Sequence, residues 1–537
     1  MRRGMRTRLL RCVLSLSMAM GALAASSQDS GAVLQDKTAS AVMTVYDEHL
    51  ARNPNDYNIL FARAHQNFYN GDLTAAIADI NQALLLTPMT DRDLRFDEYV
   101  LRARISDVRK DYTGELADLK LAQELQPKSL MCTDLIAKAH FKAGNLDAAE
   151  KAFKTLLRAQ SMNYDAMYGI ALVQQARGNA KAALDQVNKA VNMLKDEPQV
   201  YVNRADIHAR QGNIGAAVAD LVQGVDVGNG GNALEALLDL SDTHYDQVMR
   251  VLSDMSGSSA DGGKYRFMRA TVAMDHDRFA MALADLTPLK HDARYGTAAV
   301  YQNLARCYLE LGRWDEALEH AGKAISMDAT LPDAYLIEAL AQFHADGGGH
   351  SDQAMASLNR CSAFAPRYVP MLMAKALIYL AMGKEKDALS YMNAAVAVDP
   401  ADAEALISRG MLLKRMGNVK MAHRDFTAAA SLSDDLYDLR GIAMNELGRG
   451  NEALAWVRQV TATSLPGGEN YYYAAVLMTL RGDHFRANEY LQRALDLGYG
   501  SLYRLRYDDL SLIGIKALRG EQGFDLLIDK ARRNFME

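Results

Sequence analysis

Glycine returns at a fixed interval of 34 residues along this chain. The glycines that keep the interval are Gly144, Gly178 and Gly212, then Gly383 and Gly417, then Gly448 and Gly482. Alanine stands five residues after each of them, at Ala149, Ala183, Ala217, Ala388, Ala422, Ala453 and Ala487. A small residue stands seven places before each, at Ala137, Ala171, Ala205, Ala376, Gly410, Gly441 and Ala475. A period of this length indicates a repeat protein, in which each unit buries its apolar face against its neighbours.

The spacing within one period predicts two antiparallel helices. Small side chains let two helix backbones approach closely, and glycine ends the first helix in a conformation that other residues resist. One stretch shows the whole apolar pattern, at Tyr301, Leu304, Ala305, Tyr308, Gly312, Trp314, Ala317, Ala321 and Ala324. Only 10 prolines occur in 537 residues, which also favours helices.

This pattern resembles the tetratricopeptide repeat, a helix–turn–helix unit with small residues at its eighth, twentieth and twenty-seventh positions and a proline near its end. The closing proline stands at Pro88, Pro127, Pro366 and Pro400, whereas Ser161, Asp434 or Tyr499 takes its place in other units. The resemblance implies an all-α fold, a right-handed α-solenoid of about twelve units of antiparallel helix pairs between Asp56 and Gly500.

The chain divides into six predicted parts. They are a signal peptide (1–24), an N-terminal linker and capping helix (25–55), an N-terminal repeat array (56–228), a degenerate helix pair or bend (229–263), a C-terminal array (264–500) and a helical C-terminal cap (501–537). The bend is predicted because the spacing fails between Gly228 and Gly263, where Gly- and Ser-rich stretches flank two short helical patterns. Within the second unit, Glu115 stands where alanine is expected.

The first 24 residues are typical of a secretion signal, with five arginines ahead of an apolar run from Val13 to Ala24. They predict secretion across an inner membrane to a bacterial periplasm, with peripheral association with the outer membrane as one option. The run is too short to span a bilayer, and no transmembrane segment is expected in the mature chain. Cleavage would leave a net charge near −11, since the segment carries five of the 60 basic residues and no acidic one. This acidity disfavours nucleic acid as a partner.

Motifs for catalysis are missing from the sequence, so we expect no enzyme activity, no cofactor and no metal. Gly257–Lys264 differs from a phosphate-binding loop by one residue in spacing, and Tyr265 replaces the required Ser or Thr. A group of His344, Asp346, His350 and Asp352 could offer metal ligands, but a solvated helix connection is the favoured interpretation.

The resemblance implies that the first helix of each unit lines a concave groove through its second, fifth, ninth, twelfth and thirteenth positions. The candidates for binding a partner are Tyr168, Leu172, Val202, Asp206, Arg210, Phe267, Gln302, Arg306, Leu336, Leu340, Phe343, Met373, Leu377, Leu380 and Tyr472, and polar members of the groove include His65 and Lys138. Such a groove accepts an amphipathic helix or an extended apolar segment. The alternative is that the apolar groups pack inside a tightly wound superhelix or under the C-terminal tail.

Two functions fit these expectations. The first is a non-catalytic scaffold or adaptor in the periplasm, which binds proteins and organises envelope or outer-membrane-associated complexes. The second is an accessory or substrate-binding subunit of a cell-wall or glycan-processing system, in which Tyr, Trp314 and Trp456 side chains would contact sugar. A receptor for the tails of chaperones is disfavoured, because no unit has Lys and Asn at its fifth and ninth positions; the third has Asp134 and Lys138.

Overall fold

Helices account for most of the described chain, and no β-strand occurs within it. The computed structural model describes residues 43–69, 72–227, 231–258, 262–345, 347, 351–432, 439–462, 468–508 and 510–536. The predicted signal peptide and most of the predicted linker lie outside these residues. Packing divides the chain into two compact units, one ending at residue 228 and the other beginning at residue 229. This boundary lies where the sequence predicts the bend.

The N-terminal unit starts with a helix over residues 43–52, α1. Helix pairs follow it: α2 (Tyr57–Tyr69) with α3 (Leu73–Leu86), α4 (Arg92–Val108) with α5 (Tyr112–Leu125), α6 (Leu130–Lys142) with α7 (Leu146–Ala159), α8 (Tyr164–Ala176) with α9 (Ala180–Met193), and α10 (Pro198–Arg210) with α11 (Ile214–Asp226). The two helices of a pair pack on each other, and each second helix packs on the first helix of the next pair.

The C-terminal unit starts with α12 (Gly231–Ser258), which is interrupted at His244 by a non-helical backbone (φ −132°, ψ 36°). The pairs after it are α13 (Gly262–Asp275) with α14 (Phe279–Leu289), α15 (Ala298–Glu310) with α16 (Trp314–Met327), α17 (Pro332–Ala345) with α18 (Ser351–Phe364), α19 (Val369–Ala381) with α20 (Glu385–Val398), α21 (Ala403–Arg415) with α22 (Val419–Ala430), α23 (Arg440–Glu446) with α24 (Gly450–Thr461), and α25 (Glu469–Leu480) with α26 (His484–Asp496). A π-helical turn (Tyr503–Tyr507), a 3₁₀ turn (Lys516–Leu518) and α27 (Gln522–Met536) follow. The predicted all-α solenoid of helix pairs is confirmed.

The periodic small residues hold the two helices of a pair together. A methyl group added at Gly410 would lie 2.6 Å from the ring of Phe426, and one added at Gly441 would lie 2.2 Å from Trp456. The equivalent alanines, among them Ala137 and Ala171, are completely buried. A larger side chain at these positions would force the helices apart, which explains their period.

The periodic glycine lies in the turn between the two helices of a pair. Gly144 has a φ of +77°, and the amide of Asn145 donates to the carbonyl of His140, which closes the end of α6 in a Schellman motif. Lys110 occupies the same place between α4 and α5, with a φ of +59°. An L-residue with a side chain is strained in this left-handed region.

We expect substitutions at these two turns to change stability in opposite directions. A methyl group on Gly144 would meet nothing within 4 Å, so Gly144→Ala tests the backbone alone and should cost about 1 kcal/mol. Lys110→Gly relieves the same strain and should stabilise the protein by up to about 1 kcal/mol. Urea denaturation measures the change in the free energy of unfolding for both variants. A stabilising Gly144→Ala would contradict this account of the period.

Glu115 occupies the alanine position of the second pair and is buried. Burial, and then the charge of Asp107, raise the pKa of Glu115 to about 7. Its Oε2 accepts no hydrogen bond from the described residues. A buried carboxylate without a partner is destabilising once it is ionised.

Glu115 should therefore make stability depend on pH. The unfolded chain releases this proton near pH 4.5, whereas the folded protein keeps it up to about pH 7. The free energy of unfolding should fall as the pH rises through this window and stay lower above it. Glu115→Gln keeps the volume without the charge, so we expect it to remove this fall and to stabilise the protein by about 2 kcal/mol at pH 8. Urea denaturation at pH 5 and pH 8 measures the difference. Equal stabilisation at both pH values would contradict the prediction.

A repeated ion pair also joins the two helices of several pairs. The arginine directly before the small residue binds an aspartate 16 residues later, in Arg63–Asp79, Arg102–Asp118, Arg204–Asp220, Arg269–Asp285 and Arg409–Asp425. Each arginine uses Nε and Nη2 on the two carboxylate oxygens. Three of them also donate from Nη1 to an asparagine of the preceding pair, at Asn81, Asn188 and Asn393. The same side chain thus fixes a pair internally and joins it to its neighbour.

Candidate protein-binding groove

The segment that follows the last helix pair, residues 497–508, returns to the early pairs of the C-terminal unit. We call it the tail segment. Nη2 of Arg278 donates to the carbonyl of Leu497 at 3.2 Å, and Oγ of Ser501 donates to Oε2 of Glu310 at 2.6 Å. The hydroxyl of Tyr503 lies 3.2 Å from Nε2 of His344. These contacts join residues 159 to 219 positions apart, so the tail segment is held by α15, α17 and the turn between α13 and α14.

Aromatic rings support these polar contacts. Trp314 lies edge-on to Tyr507 at 5.0 Å and is stacked on His344 at 5.4 Å between ring centroids. At the other end of the unit, Tyr499 is stacked on Tyr472 at 4.7 Å. Tyr499 is completely buried, and burial raises its pKa well above the usual value. The tail segment is therefore part of the hydrophobic core.

Arg504 places a charge within this packing. Its Nη1 donates to the hydroxyl of Tyr473 at 3.1 Å and lies 3.6 Å from Oε1 of Glu469. Glu469 and Tyr473 belong to α25, so the tail segment also binds the last pair of the unit. The guanidinium is satisfied inside the unit and is not offered to a partner.

The structure buries or half-buries the groove candidates of this unit. Five of the candidates are buried, namely Phe267, Gln302, Phe343, Met373 and Tyr472. Four more are half-buried against the core that includes Tyr499 and Leu502, namely Leu336, Leu340, Leu377 and Leu380. Arg306 is half-buried as well. Their burial agrees with the alternative, in which apolar groups pack inside a tightly wound superhelix or under the tail; Tyr472, for example, is stacked on Tyr499 of the tail segment.

The other candidates lie together in the N-terminal unit. The hydroxyl of Tyr168 on α8 donates to Oδ2 of Asp206 on α10 at 2.8 Å, and Nε of Arg210 donates to the same oxygen at 2.6 Å. Burial, and then the charge of Asp206, raise the pKa of Tyr168. Leu172 and Val202 are half-buried, and Arg210 is exposed. The structure thus brings these five residues to one face, which we call the inner face, formed by the first helices of the N-terminal pairs.

The inner face continues along the earlier pairs. His65, Arg104 and Lys138 are exposed at the ninth position of three successive pairs. Tyr69 and Val108 stand four residues further on and are 67% and 56% exposed. The sequence predicts His65 and Lys138 as members of the groove, whereas Arg104, Tyr69 and Val108 are identified only by the structure. Their ninth and thirteenth positions were the signal that could have identified them.

A group of possible metal ligands occurs elsewhere in the described residues. Ligand atoms of Asp242, Asp275 and His276 all lie within 4.8 Å of one another. Oγ of Ser241 donates to the carbonyl of Leu238 at 2.7 Å, so it accepts from Nε2 of His276 at 2.9 Å. This nitrogen is therefore taken by the hydrogen bond with Ser241 and is not available to a metal ion in this arrangement. Of the predicted loop cluster, Asp346 and His350 lie outside the described residues, while His344 binds the tail segment.

Models of the tetratricopeptide repeat match residues 135–199, 298–330 and 369–402. The matches fall in both units, on the helix pairs described above. This chain is a tetratricopeptide-repeat protein. A comparison with curated protein sequences found no match.

The solved structures that match this chain include three with low sequence identity. A thermophilic TPR protein of Thermus thermophilus is 21% identical, over 36% of this chain and 99% of that one, with a TM-score of 0.31. The APC/C hetero-tetramer Cut9–Hcn1 is 13% identical, over 89% and 96%, with a TM-score of 0.33. Yeast Tom70 is 10% identical, over 83% and 97%, with a TM-score of 0.36. In the described part of this tetratricopeptide-repeat protein, no helix has the length and apolar character to cross a membrane.

The two tryptophans bear on the alternative of a glycan-binding subunit. Sugars stack on open aromatic faces, yet Trp314 is packed between His344 and the tail segment. Trp456 is buried against Gly441. Both indoles are thus packed against other side chains, and the exposed aromatic side chains of the described residues include Tyr69 on α2, Phe364 on α18 and Phe485 on α26.

Proposed function

We propose that this protein is a non-catalytic scaffold or adaptor that binds other proteins through the inner face of its N-terminal unit. The observation that carries the proposal is the contrast between the two units. Five of the ten candidates in the C-terminal unit are buried and the tail segment packs on this unit, whereas none of the five in the N-terminal unit is buried, namely Tyr168, Leu172, Val202, Asp206 and Arg210. Tetratricopeptide-repeat proteins bind protein partners, and the available face is the one to test.

A photo-crosslinking amino acid at single positions tests this face in the native cell. A probe at Leu172 should give a covalent adduct with a defined partner, identified by mass spectrometry. A matched probe at Lys189, exposed on the second helix α9, should give none with that partner. Adducts that form only from positions on the second helices would overturn the proposal. Circular dichroism of each variant shows that it is folded.

The location that we propose is the periplasm of a Gram-negative bacterium, where the protein would organise envelope or outer-membrane-associated complexes. Support comes from the basic front and apolar run of residues 1–24. A phosphatase reporter that is active only outside the cytoplasm, fused after residue 55, should be active. Its activity should disappear when residues 1–24 are removed. An inactive fusion with the segment intact would contradict this location.

A further inference from the structure

The early part of the inner face carries an exposed aromatic cluster on α2. The ring of His65 meets Tyr69 edge-on at 4.7 Å and lies 6.3 Å from Phe61, while Phe68 contacts Tyr69 at 6.1 Å. Phe61 and Phe68 reach into the core of the first pairs, but Tyr69 is two-thirds exposed. The core therefore fixes the position of the exposed rings. Val108 of the neighbouring α4, more than half exposed, extends this apolar surface.

A cationic group stands beside the cluster. Arg104 on α4 is exposed, and it forms no hydrogen bond or ion pair with the described residues. Other cations of the inner face are paired: Lys138 binds Asp134 at 2.7 Å, and Lys142 binds Asp107 at 2.6 Å. Burial, and then the charge of Arg104, lower the pKa of His65, so its ring is neutral at pH 7 and can donate one hydrogen bond. The guanidinium fork remains available for a carboxylate.

We propose that the surface formed by His65, Tyr69, Arg104 and Val108 binds an extended acidic segment of a partner protein, in which carboxylates alternate with apolar side chains. The proposal rests on the proposed function and names the partner of the same inner face. Charge complementarity selects the carboxylate, and Tyr69 and Val108 bind the apolar residues beside it. A phosphorylated segment fits less well, because phosphate sites are built from several arginines and this one has a single free guanidinium.

The spacing of the helices sets the spacing of the partner's side chains. Neighbouring first helices are about 10 Å apart, and an extended chain advances about 3.3 Å per residue. Side chains that reach successive first helices are therefore about three residues apart. The side chains three residues before and after the carboxylate opposite Arg104 should therefore lie opposite the neighbouring first helices, with apolar residues between them.

Fluorescence anisotropy with a synthetic peptide tests this inference. The probe is a fluorescein-labelled peptide with glutamate at every third position and leucine next to each glutamate, and its matched control has glutamine at the same positions. We expect the full-length protein to bind the glutamate peptide, and Arg104→Gln to weaken binding about tenfold, since one charge-assisted contact is lost. Tyr69→Ser should weaken it by a smaller factor. Arg158→Gln, which alters an exposed arginine on the second helix α7, should leave the affinity unchanged.

Equal affinities for the two peptides, or equal affinities of Arg104→Gln and Arg158→Gln, would overturn the inference. So would tighter binding of a phosphoserine version of the probe than of the glutamate peptide. These outcomes can be told apart from a failure of the proposed function, which is tested by the crosslinks from Leu172. Crosslinks from Leu172 together with no binding of the glutamate peptide would leave the adaptor in place and remove its acidic partner.

Discussion

Deletion of residues 497–537 is expected to unfold the C-terminal unit and to leave the N-terminal unit folded. The deleted chain includes several large apolar side chains with almost no exposed surface, at Tyr499, Leu502, Leu505, Ile515, Leu518 and Phe524. Loss of one such side chain costs roughly 2–5 kcal/mol, so the loss of all of them exceeds the stability of an ordinary domain. Thermal unfolding followed by circular dichroism should show the transition of the N-terminal unit and no transition of the C-terminal unit. Limited proteolysis should degrade only residues beyond 228.

A point variant gives the same test without truncation. Leu505→Asp places a carboxylate in the core of the tail segment, where the leucine is completely buried, and should destabilise the C-terminal unit severely. Leu526→Asp is the matched control, because this leucine is 64% exposed on α27. A Leu505→Asp protein as stable as the Leu526→Asp protein would show that the tail segment does not support the unit.

The tail segment should also make the unfolding of the C-terminal unit cooperative. In an open array, each pair contacts only its neighbours, and stability is nearly a sum of local terms. Contacts such as Arg278 with Leu497 and Ser501 with Glu310 join the early pairs to the segment that follows the last one. Damage near residue 500 should therefore destabilise the pairs near residue 300. The C-terminal unit should unfold in one cooperative step.

The features that the sequence predicts well are local ones. The left-handed turn at Gly144, the close helix contact at Gly410 and the pairing of helices each depend on residues within one period of 34. The path of the tail segment depends on contacts across 159 to 219 residues, with no periodic signal. The sequence predicts a helical cap over 501–537, but α27 is preceded by irregular chain that packs into the unit.

The burial of the groove candidates is a second feature that the sequence does not predict. The register of the family places Phe267, Gln302 and Tyr472 toward the inside of the solenoid, but register does not tell what fills that inside. In this structure all three side chains are buried. The repeated ion pairs also have a sequence signature, an arginine directly before the small residue and an aspartate 16 positions later, which apolar periodicity does not reveal.

Breaking one of these ion pairs is expected to be among the most damaging single substitutions in the N-terminal unit. Arg204 binds Asp220 through Nε at 2.8 Å and Nη2 at 2.5 Å, and its Nη1 donates to Asn188 at 3.1 Å. The side chain of Asp220 is 8% exposed and that of Arg204 is 22% exposed. Asp220→Ala leaves a largely buried guanidinium without its carboxylate, which should cost about 3 kcal/mol. Urea denaturation of the full chain measures the loss in the transition of the N-terminal unit.

Replacing both partners should recover much of this loss. Arg204→Leu combined with Asp220→Leu removes the buried charge as well as the ion pair, and apolar replacements of buried pairs are often close to neutral. The exposed pair in the same unit is the control: Asp134→Ala, which frees Lys138, should change stability by about 0.5 kcal/mol at most. If the double variant were as unstable as Asp220→Ala, the hydrogen bonds themselves would be the source of the stability. If Asp220→Ala cost no more than Asp134→Ala, the repeated pair would have no structural role, and its recurrence in both units would need a functional reason.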